Sequence, residues 1–160
     1  MRAVGIDIGL AGALAVVTEF GVVEIHDLPV LASGAGGRNQ IDAHAFRDLL
    51  VEIGPVTMVV AEDLTPNGAN GGQTNFSQGD SRGVIRGVVT ALDRPFTFLT
   101  TAAWHKAVGF PPKAGKEWAL AKVRSEHPEV ADRLRFKKNA DRAEAVLIAQ
   151  AYMRTRVVAA

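Results

Sequence analysis

Short apolar runs separated by glycine-containing turns make up the first part of the chain. Apart from Asp7, residues 3–8 are apolar and rich in β-branched side chains, glycines follow at positions 9 and 12, and residues 13–18 resume the apolar pattern. Residues 22–28 form a third run after the turn at residues 20–21. Three runs of strand length joined by tight turns predict an antiparallel β-meander.

Amphipathic helical patterns alternate with two further strand-length runs in the rest of the chain. The run at residues 56–61 is continuously apolar, as expected for a strand covered on both faces. Glycine and proline mark loops at 33–40, 66–72 and 109–115. The remaining predicted elements are a helix capped by Asp42 and ending at Ile53, a helix at 75–92, a strand at 96–100, and helices at 101–108, 117–126 and 139–153.

This order of elements predicts one α/β domain over residues 1–160, because neither a repeat nor a linker interrupts the chain. The right-handed crossover rule places the fourth and fifth predicted strands beside the first. The expected architecture is a mixed five-stranded sheet of order 3-2-1-4-5, flanked by helices.

The amino-acid composition excludes several kinds of functional site. The chain has 160 residues, 48% of them hydrophobic, and it contains no cysteine, which excludes thiol catalysis, cysteine-based zinc sites and disulfides. We expect no membrane span, since no apolar run reaches about 18 residues. Asp7 interrupts the apolar N-terminal stretch and argues against a signal peptide. These features fit a cytoplasmic protein.

Charge is distributed unevenly although the net charge is only +1. Residues 1–100 hold six Lys/Arg and eleven Asp/Glu, whereas residues 101–160 hold twelve and six. A basic C-terminal third favours an acidic partner such as nucleic acid. Solvated helix faces explain the same bias equally well.

Two acidic residues lie in apolar runs that otherwise predict buried strands. Asp7 lies between Ile6 and Ile8, and Glu62 ends the fourth apolar run. If the first and fourth predicted strands are parallel neighbours, these carboxylates lie side by side and repel each other unless a cation separates them. Oxygen ligands favour Mg²⁺ or Mn²⁺. Taken singly, Asp7 is also a turn former before Gly9 and Glu62 a solvated strand end.

Asp141 and Glu144 share one face of the last predicted helix because they are three residues apart. Either acid could also serve the start of the helix through its dipole or a capping box. Small side chains around them favour a helix that packs closely on a sheet and presents ligands to a metal. These neighbours are Ala140, Ala143, Ala145, Val146 and Ala149.

Four segments together resemble RuvC-type Holliday junction resolvases, most closely the short phage- or prophage-type members. Gly-Ile-Asp-Ile-Gly at 5–9 with the hairpin at 12–16 resembles the family's first strand and hairpin. Val-Ala-Glu at 60–62 is similar to its second acidic strand, residues 75–91 to its long helix, and Ala-Asp-Arg-Ala-Glu-Ala at 140–145 to its C-terminal acidic motif. The resemblance covers about residues 3–152.

The resemblance implies an RNase H-like fold and an endonuclease that makes paired symmetric incisions in four-way DNA junctions as a homodimer, without a nucleotide cofactor. Asp7, Glu62, Asp141 and Glu144 would be both catalytic residues and ligands of two Mg²⁺ ions, with Mn²⁺ as a substitute. Two such ions about 3.5–4 Å apart activate water and stabilise the leaving oxygen. Asp7 would bridge them, and the products would carry 5′-phosphate and 3′-hydroxyl ends. Glu144 departs from the aspartate of bacterial members but keeps a carboxylate.

Basic and small residues complete the predicted site. Five lysines are expected to contact DNA: Lys106, Lys113, Lys116, Lys137 and Lys138. Four small residues of the long helix are expected at the dimer interface, although packing against the sheet competes for them: Gly83, Val84, Gly87 and Val88. Any one of the lysines is also explained as a solvated surface residue.

One feature of the family's cellular members is missing. They place an aromatic residue soon after the second acid, where this chain has Asp63, Leu64 and Thr65. Phe76 and Phe110 are candidates for the role of this missing aromatic residue. Both are nevertheless expected in the core, as are Trp104 and Trp118.

Three other function classes share some of these features. Actin-like ATPases and sugar kinases share an Asp-x-Gly hairpin but need two lobes, and no P-loop motif is present. A non-catalytic DNA-binding module of the same fold would not need all four acids. Another RNase H-like nuclease, acting on branched DNA or RNA–DNA hybrids, remains compatible with them.

Overall fold

Seven strands and five helices are present in the computed structural model, which describes residues 1–32, 38–65 and 68–157. The strands are β1 (Arg2–Asp7), β2 (Ala13–Thr18), β3 (Gly21–Asp27), β4 (Val30–Leu31), β5 (Gln40–Ile41), β6 (Met58–Asp63) and β7 (Phe96–Thr100). The helices are α1 (Ala43–Ile53), α2 (Gly72–Ala91), α3 (Thr101–Val108), α4 (Lys116–Glu126) and α5 (Ala140–Val157). Two 3₁₀ segments, Pro128–Leu134 and Lys137–Asn139, lie between α4 and α5.

The main sheet has five strands in the order β3-β2-β1-β6-β7. Strand β1 pairs antiparallel with β2 and parallel with β6, and β6 pairs parallel with β7. The predicted fourth and fifth strands are β6 and β7, so the predicted mixed sheet and its order are confirmed. The two-residue strands β4 and β5 pair separately and were not predicted.

Several element boundaries differ from the predictions. Strand β6 is shifted by two residues relative to the predicted run at 56–61, because its pairing with β7 continues to Asp63. Helix α2 begins at Gly72, three residues earlier than predicted. The predicted loops at 33–40 and 66–72 include residues 33–37 and 66–67, which lie outside the described residues.

Each face of the sheet carries its own hydrophobic core. One core joins β1–β3 and β6 to α3, α4 and α5, with Ala3 and Val60 among its members. The other joins the sheet to α1 and α2, with Val4 and Ala61 among its members. Side chains alternate along a strand, so Asp7 and Glu62 fall on the face that α5 covers. None of the described helices is long and apolar enough to span a bilayer.

Candidate active site

The parallel pairing of β1 with β6 places the first two acids next to each other. Ile6 pairs with Ala61, so the following residues, Asp7 and Glu62, are neighbours at the C-terminal ends of the two central strands. A tight turn ends β1 directly after Asp7. A side chain at Gly12 would overlap the Asp7 carbonyl oxygen, so only glycine fits there. The predicted juxtaposition of the two acids therefore holds in the structure.

Helix α5 lies directly on β1 and brings the other two acids to this edge. A Cβ atom added at Gly5 would overlap the Ala145 carbonyl oxygen and lie 2.6 Å from the Ala149 nitrogen. Ala143, Ala145 and Ala149 are fully buried against the sheet, as their small size predicted. This close approach places Asp141 and Glu144, one turn apart near the start of α5, beside Asp7.

Three of the four acids converge on one point. Ligand oxygens of Asp7, Asp141 and Glu144 all lie within 4.8 Å of one another. Glu62 is not part of this group, and its Oε1 accepts hydrogen bonds from the Thr101 hydroxyl at 2.6 Å and from the Trp104 indole N–H at 3.1 Å. The structure therefore brings together three of the predicted ligands and holds the fourth on the adjacent strand.

Burial and mutual repulsion make this cluster electrostatically unusual. Asp7 is 8% exposed, and its burial, followed by the charges of Glu144, Asp141 and Glu62, raises its pKa to about 8. Burial also raises the pKa of Glu144, with Lys116 opposing and Asp141 reinforcing that shift. Both shifts disfavour the ionised form of the carboxyl group, first through loss of hydration on burial and then through the charges of the neighbouring acids.

Lys116 supplies the positive charge nearest to the cluster. Its Nζ donates a hydrogen bond to Asp141 and lies 3.5 Å from Glu144. Burial pulls the pKa of Lys116 down, but the hydrogen bond to Asp141 and the charges of Glu144, Asp141 and Asp7 raise it overall. The sequence suggested only a DNA contact for this lysine, since nothing in its spacing reveals that α4 starts beside α5.

The donor set fits a hard divalent cation. It consists of carboxylate oxygens alone, the ligands that Mg²⁺ and Mn²⁺ prefer. An ammonium group already occupies the position between two of the carboxylates, which shows that the cluster attracts a cation.

Two ion pairs outside the cluster fix the elements that carry it, and sequence reasoning missed both. Arg142 lies between the two acids of α5 and binds both carboxylate oxygens of Asp27 on β3 at 2.6 Å. Arg82 on α2 donates to Asp63 at 2.9 and 3.1 Å. Both pairs connect residues far apart in the sequence, so no local pattern indicates them.

The other predicted lysines fall into two groups. The Lys137 ammonium binds Glu117 at the start of α4. Lys106, Lys113 and Lys138 are exposed, and none of the three makes an ion pair within residues 1–32, 38–65 and 68–157. Among the five predicted lysines, these three are therefore the most available to phosphate.

The four residues of α2 predicted at the dimer interface differ in their burial. A Cβ atom added at Gly83 or Gly87 would meet no heavy atom within 4 Å, so both glycines face away from the core. Val84 and Val88 are partly buried and pack on the α1–α2 core. Packing against the sheet therefore competes for the two valines only.

The aromatic residues were predicted correctly with one exception. Trp104 is buried, and Phe110 and Trp118 are partly buried against the same core, with ring centroids 4.6 Å apart. Phe76 was expected in the core, but it is 62% exposed in the second turn of α2. The Arg38 guanidinium carbon lies 4.5 Å from the centroid of the Phe76 ring, so this ring makes a cation–π contact instead of packing in the core.

Solved structures show the same fold. RuvC from Thermus thermophilus in complex with a Holliday junction substrate is 16% identical, with a TM-score of 0.67 over 99% of this chain and 96% of that one. Another Thermus thermophilus RuvC structure is 16% identical, with a TM-score of 0.61 over 99% and 97%. The yeast mitochondrial Holliday junction resolvase Ydc2 is 14% identical, with a TM-score of 0.61 over 98% and 80%.

No protein-family model and no curated protein matches the chain by sequence. The likeness nevertheless spans nearly the whole chain, and the five-stranded sheet has the predicted order. The chain therefore has the RNase H-like fold of RuvC-type resolvases.

Proposed function

We propose that this protein is a crossover junction endodeoxyribonuclease that resolves four-way DNA junctions by metal-dependent phosphodiester hydrolysis. The observation that carries the proposal is the convergence of Asp7, Asp141 and Glu144, with Glu62 on the adjacent strand. The fold is shared with proteins solved as Holliday junction resolvases. A DNA substrate would place the protein in the cytoplasm of a bacterial or phage-infected cell.

Two Mg²⁺ ions, or Mn²⁺ in their place, would be held by Asp7, Glu62, Asp141 and Glu144. Bound there, such ions activate water and stabilise the departing oxygen of an in-line displacement. Glu62 is held in place by Thr101 and Trp104, so its carboxylate is already oriented. Arg142 anchors the start of α5 to β3 and thereby fixes Asp141 and Glu144.

Lys116 has two roles in this proposal. Without a divalent ion its ammonium partly compensates the charges of Asp141 and Glu144. If the acids held a metal, the same ammonium would be free to contact a phosphate of the DNA. Lys106, Lys113, Lys137 and Lys138 would contact other phosphates of the DNA, and Lys137 would first have to leave Glu117.

Paired incisions require two active sites, and an isologous homodimer supplies them in a symmetric arrangement. We place the interface on α2, where Gly83 and Gly87 leave the helix backbone open to close approach. Val88 contributes to a shallow groove of about 280 Å³ against α1, lined also by Ala91 and Leu92. A second copy of α2 would cover this apolar surface.

A substrate panel tests the proposed function. End-labelled four-way junction, linear duplex and RNA–DNA hybrid of matched sequence are each incubated with the protein and Mg²⁺. We expect the junction to be cut far faster than the others, with 5′-phosphate and 3′-hydroxyl ends, and EDTA to stop the reaction. Equal or faster cutting of the hybrid would contradict the proposal and favour a different RNase H-like nuclease.

A further inference from the structure

An exposed aromatic side chain lies just before the helix that carries two of the acids. Phe136 is 57% exposed and separates the two 3₁₀ segments. Asp141 follows five residues later, which limits the distance between the two Cα atoms to about 18 Å. At about 3.4 Å of rise per nucleotide, Phe136 is within reach of the nearest five or so nucleotides on either side of an incision at Asp141.

The backbone around Phe136 is held in place on both sides. Its N–H donates to the Asn139 side-chain oxygen at 2.9 Å. Before it, the Leu134 carbonyl accepts from Arg124 Nε at 2.8 Å, and the Arg133 carbonyl accepts from Arg142 Nη1 at 2.9 Å. The ring is therefore presented to solvent by a fixed frame.

Two cations flank the ring. The Arg135 guanidinium carbon lies 5.8 Å, and the Lys138 Nζ 6.0 Å, from its centroid. Neither side chain makes an ion pair with any carboxylate in the part of the chain that the structure describes. A flat apolar ring beside two uncommitted cations matches the base and the phosphates of a nucleotide, which combine a π-face with negative charge.

We propose that Phe136 stacks on a nucleotide of the DNA strand next to the incision, and that Arg135 and Lys138 bind the phosphates on either side of it. This inference rests on the proposed function, because it takes the substrate to be DNA held at the Asp7 cluster. Stacking requires a base that has left its own stack, as happens at branch points and strand ends. The site would thus favour branched over continuous duplex DNA.

Four variants test the stacking role: Phe136→Ala, Phe136→Leu, Phe136→Trp and the control Phe20→Ala. Leucine keeps apolar volume but removes the π-face, whereas tryptophan enlarges it. Phe20 is also exposed, at 94%, but it lies in the β2–β3 turn at the opposite end of β1 from Asp7. Affinities for a four-way junction are measured in EDTA, so that no strand is cut.

We expect Phe136→Ala to weaken junction binding about 5- to 100-fold, the range for loss of one aromatic–base stack. Phe136→Leu should lose nearly as much, while Phe136→Trp and Phe20→Ala should stay within about twofold of wild type. A 2-aminopurine placed one to five nucleotides from the incision should change its fluorescence with wild type and not with Phe136→Ala. Binding by Phe136→Ala within twofold of wild type, or full affinity in Phe136→Leu, would overturn the inference.

The outcomes separate this inference from the proposed function. If wild type cuts junctions but Phe136→Ala binds them normally, the stacking role is wrong and the function stands. If wild type does not cut junctions, yet Phe136→Ala weakens binding to single-stranded DNA, the function is wrong and the stacking role stands. Unchanged unfolding temperatures for the variants, expected for an exposed side chain, exclude misfolding as the cause.

Discussion

At the scale of single residues, the site is a set of carboxylates that the fold forces together. Asp7 is buried between acids from β6 and α5, and Lys116 provides partial compensation. In the absence of a divalent ion, the folded protein therefore disfavours the ionised form of the Asp7 carboxyl group. The stability of the metal-free protein should reveal this cost directly.

We expect the metal-free protein to lose stability as pH rises from about 4 to 8. The pKa of Asp7 rises from its ordinary value of 3.8 to about 8 on folding, so in this window the folded chain keeps a proton that the unfolded chain releases. Asp7→Asn removes the contribution of Asp7 and should raise the free energy of unfolding at pH 8 by roughly 1–3 kcal/mol. Thermal unfolding in EDTA across this pH range measures it.

The control is Asp48→Asn, because Asp48 is an exposed carboxylate on α1. That variant should follow the wild-type pH dependence. Saturating Mg²⁺ should raise the unfolding temperature of wild type at pH 8 and have little effect on Asp7→Asn. A wild-type stability that is flat or increasing over this window would show that Asp7 ionises without cost.

Some residues of the site could be predicted from the sequence and others could not. Asp7 interrupts one apolar run near its end and Glu62 ends another, so pairing of the two strands as parallel neighbours brings these residues together. The position of Lys116 depends instead on where α4 starts relative to α5. The hydrogen bonds from Thr101 and Trp104 to Glu62 depend similarly on how α3 leaves β7, which no periodicity encodes.

At the scale of elements, the site depends on how closely α5 approaches β1. Gly5 and the alanines opposite it leave no space between helix and strand. The small residues around Asp141 predicted this approach, while the 3₁₀ segments before α5 were missed because short helical turns lack a clear period. The segment containing Phe136 therefore had no predicted structure.

Gly5→Ala should displace α5 from the sheet. The added methyl group would overlap the Ala145 carbonyl oxygen and clash with Ala149, so the backbone must move. We expect a loss of about 3 kcal/mol or more in the free energy of unfolding, with loss of cleavage. Chemical denaturation provides the measurement.

Gly79→Ala on α2 is the matched control for this change. A Cβ atom there meets no heavy atom within 4 Å, so the substitution should be neutral or stabilise the helix by about 0.5–1 kcal/mol. If Gly5→Ala were as stable and active as Gly79→Ala, close packing of α5 on β1 would not be what positions Asp141 and Glu144.

At the scale of the whole molecule, the two faces of the sheet differ in role. The face covered by α3, α4 and α5 carries the acids and most of the positive charge, and the face covered by α1 and α2 carries the proposed dimer interface. DNA affinity and dimerisation should therefore respond to separate sets of substitutions.

Neutralising Lys106, Lys113 and Lys138 should weaken binding to junction and duplex alike. The slope of log affinity against log salt should become shallower by about 0.9 for each phosphate that the protein no longer neutralises. Arg154→Ala is the control, because Arg154 lies near the C-terminal end of α5, away from Asp141, and pairs with Glu126. A salt titration in which the triple Lys→Ala variant keeps the wild-type slope would make these lysines ordinary surface residues.

Negative charge at positions 83 and 87 of α2 should dissociate the proposed dimer. Gly83→Glu with Gly87→Glu puts two carboxylates from each copy at the proposed interface, whereas Ala121→Glu places one on the exposed side of α4. Light scattering should show a dimer for wild type and for Ala121→Glu, and a monomer for the double variant. A dimer that survives the double change would place the interface elsewhere.

Cleavage of a supercoiled plasmid that extrudes a cruciform tests the central claim most directly. Paired incisions across the junction convert the plasmid to a linear product, whereas a single incision leaves a nicked circle. We predict that wild type with Mg²⁺ gives linear product without accumulating nicked circles. Asp7→Asn, and Asp141→Asn with Glu144→Gln, should bind the cruciform but cut it at least about 10²-fold more slowly, because they remove carboxylates from the cluster. Nicked circles as the only product of wild type, or near-normal cutting by Asp7→Asn, would contradict the account.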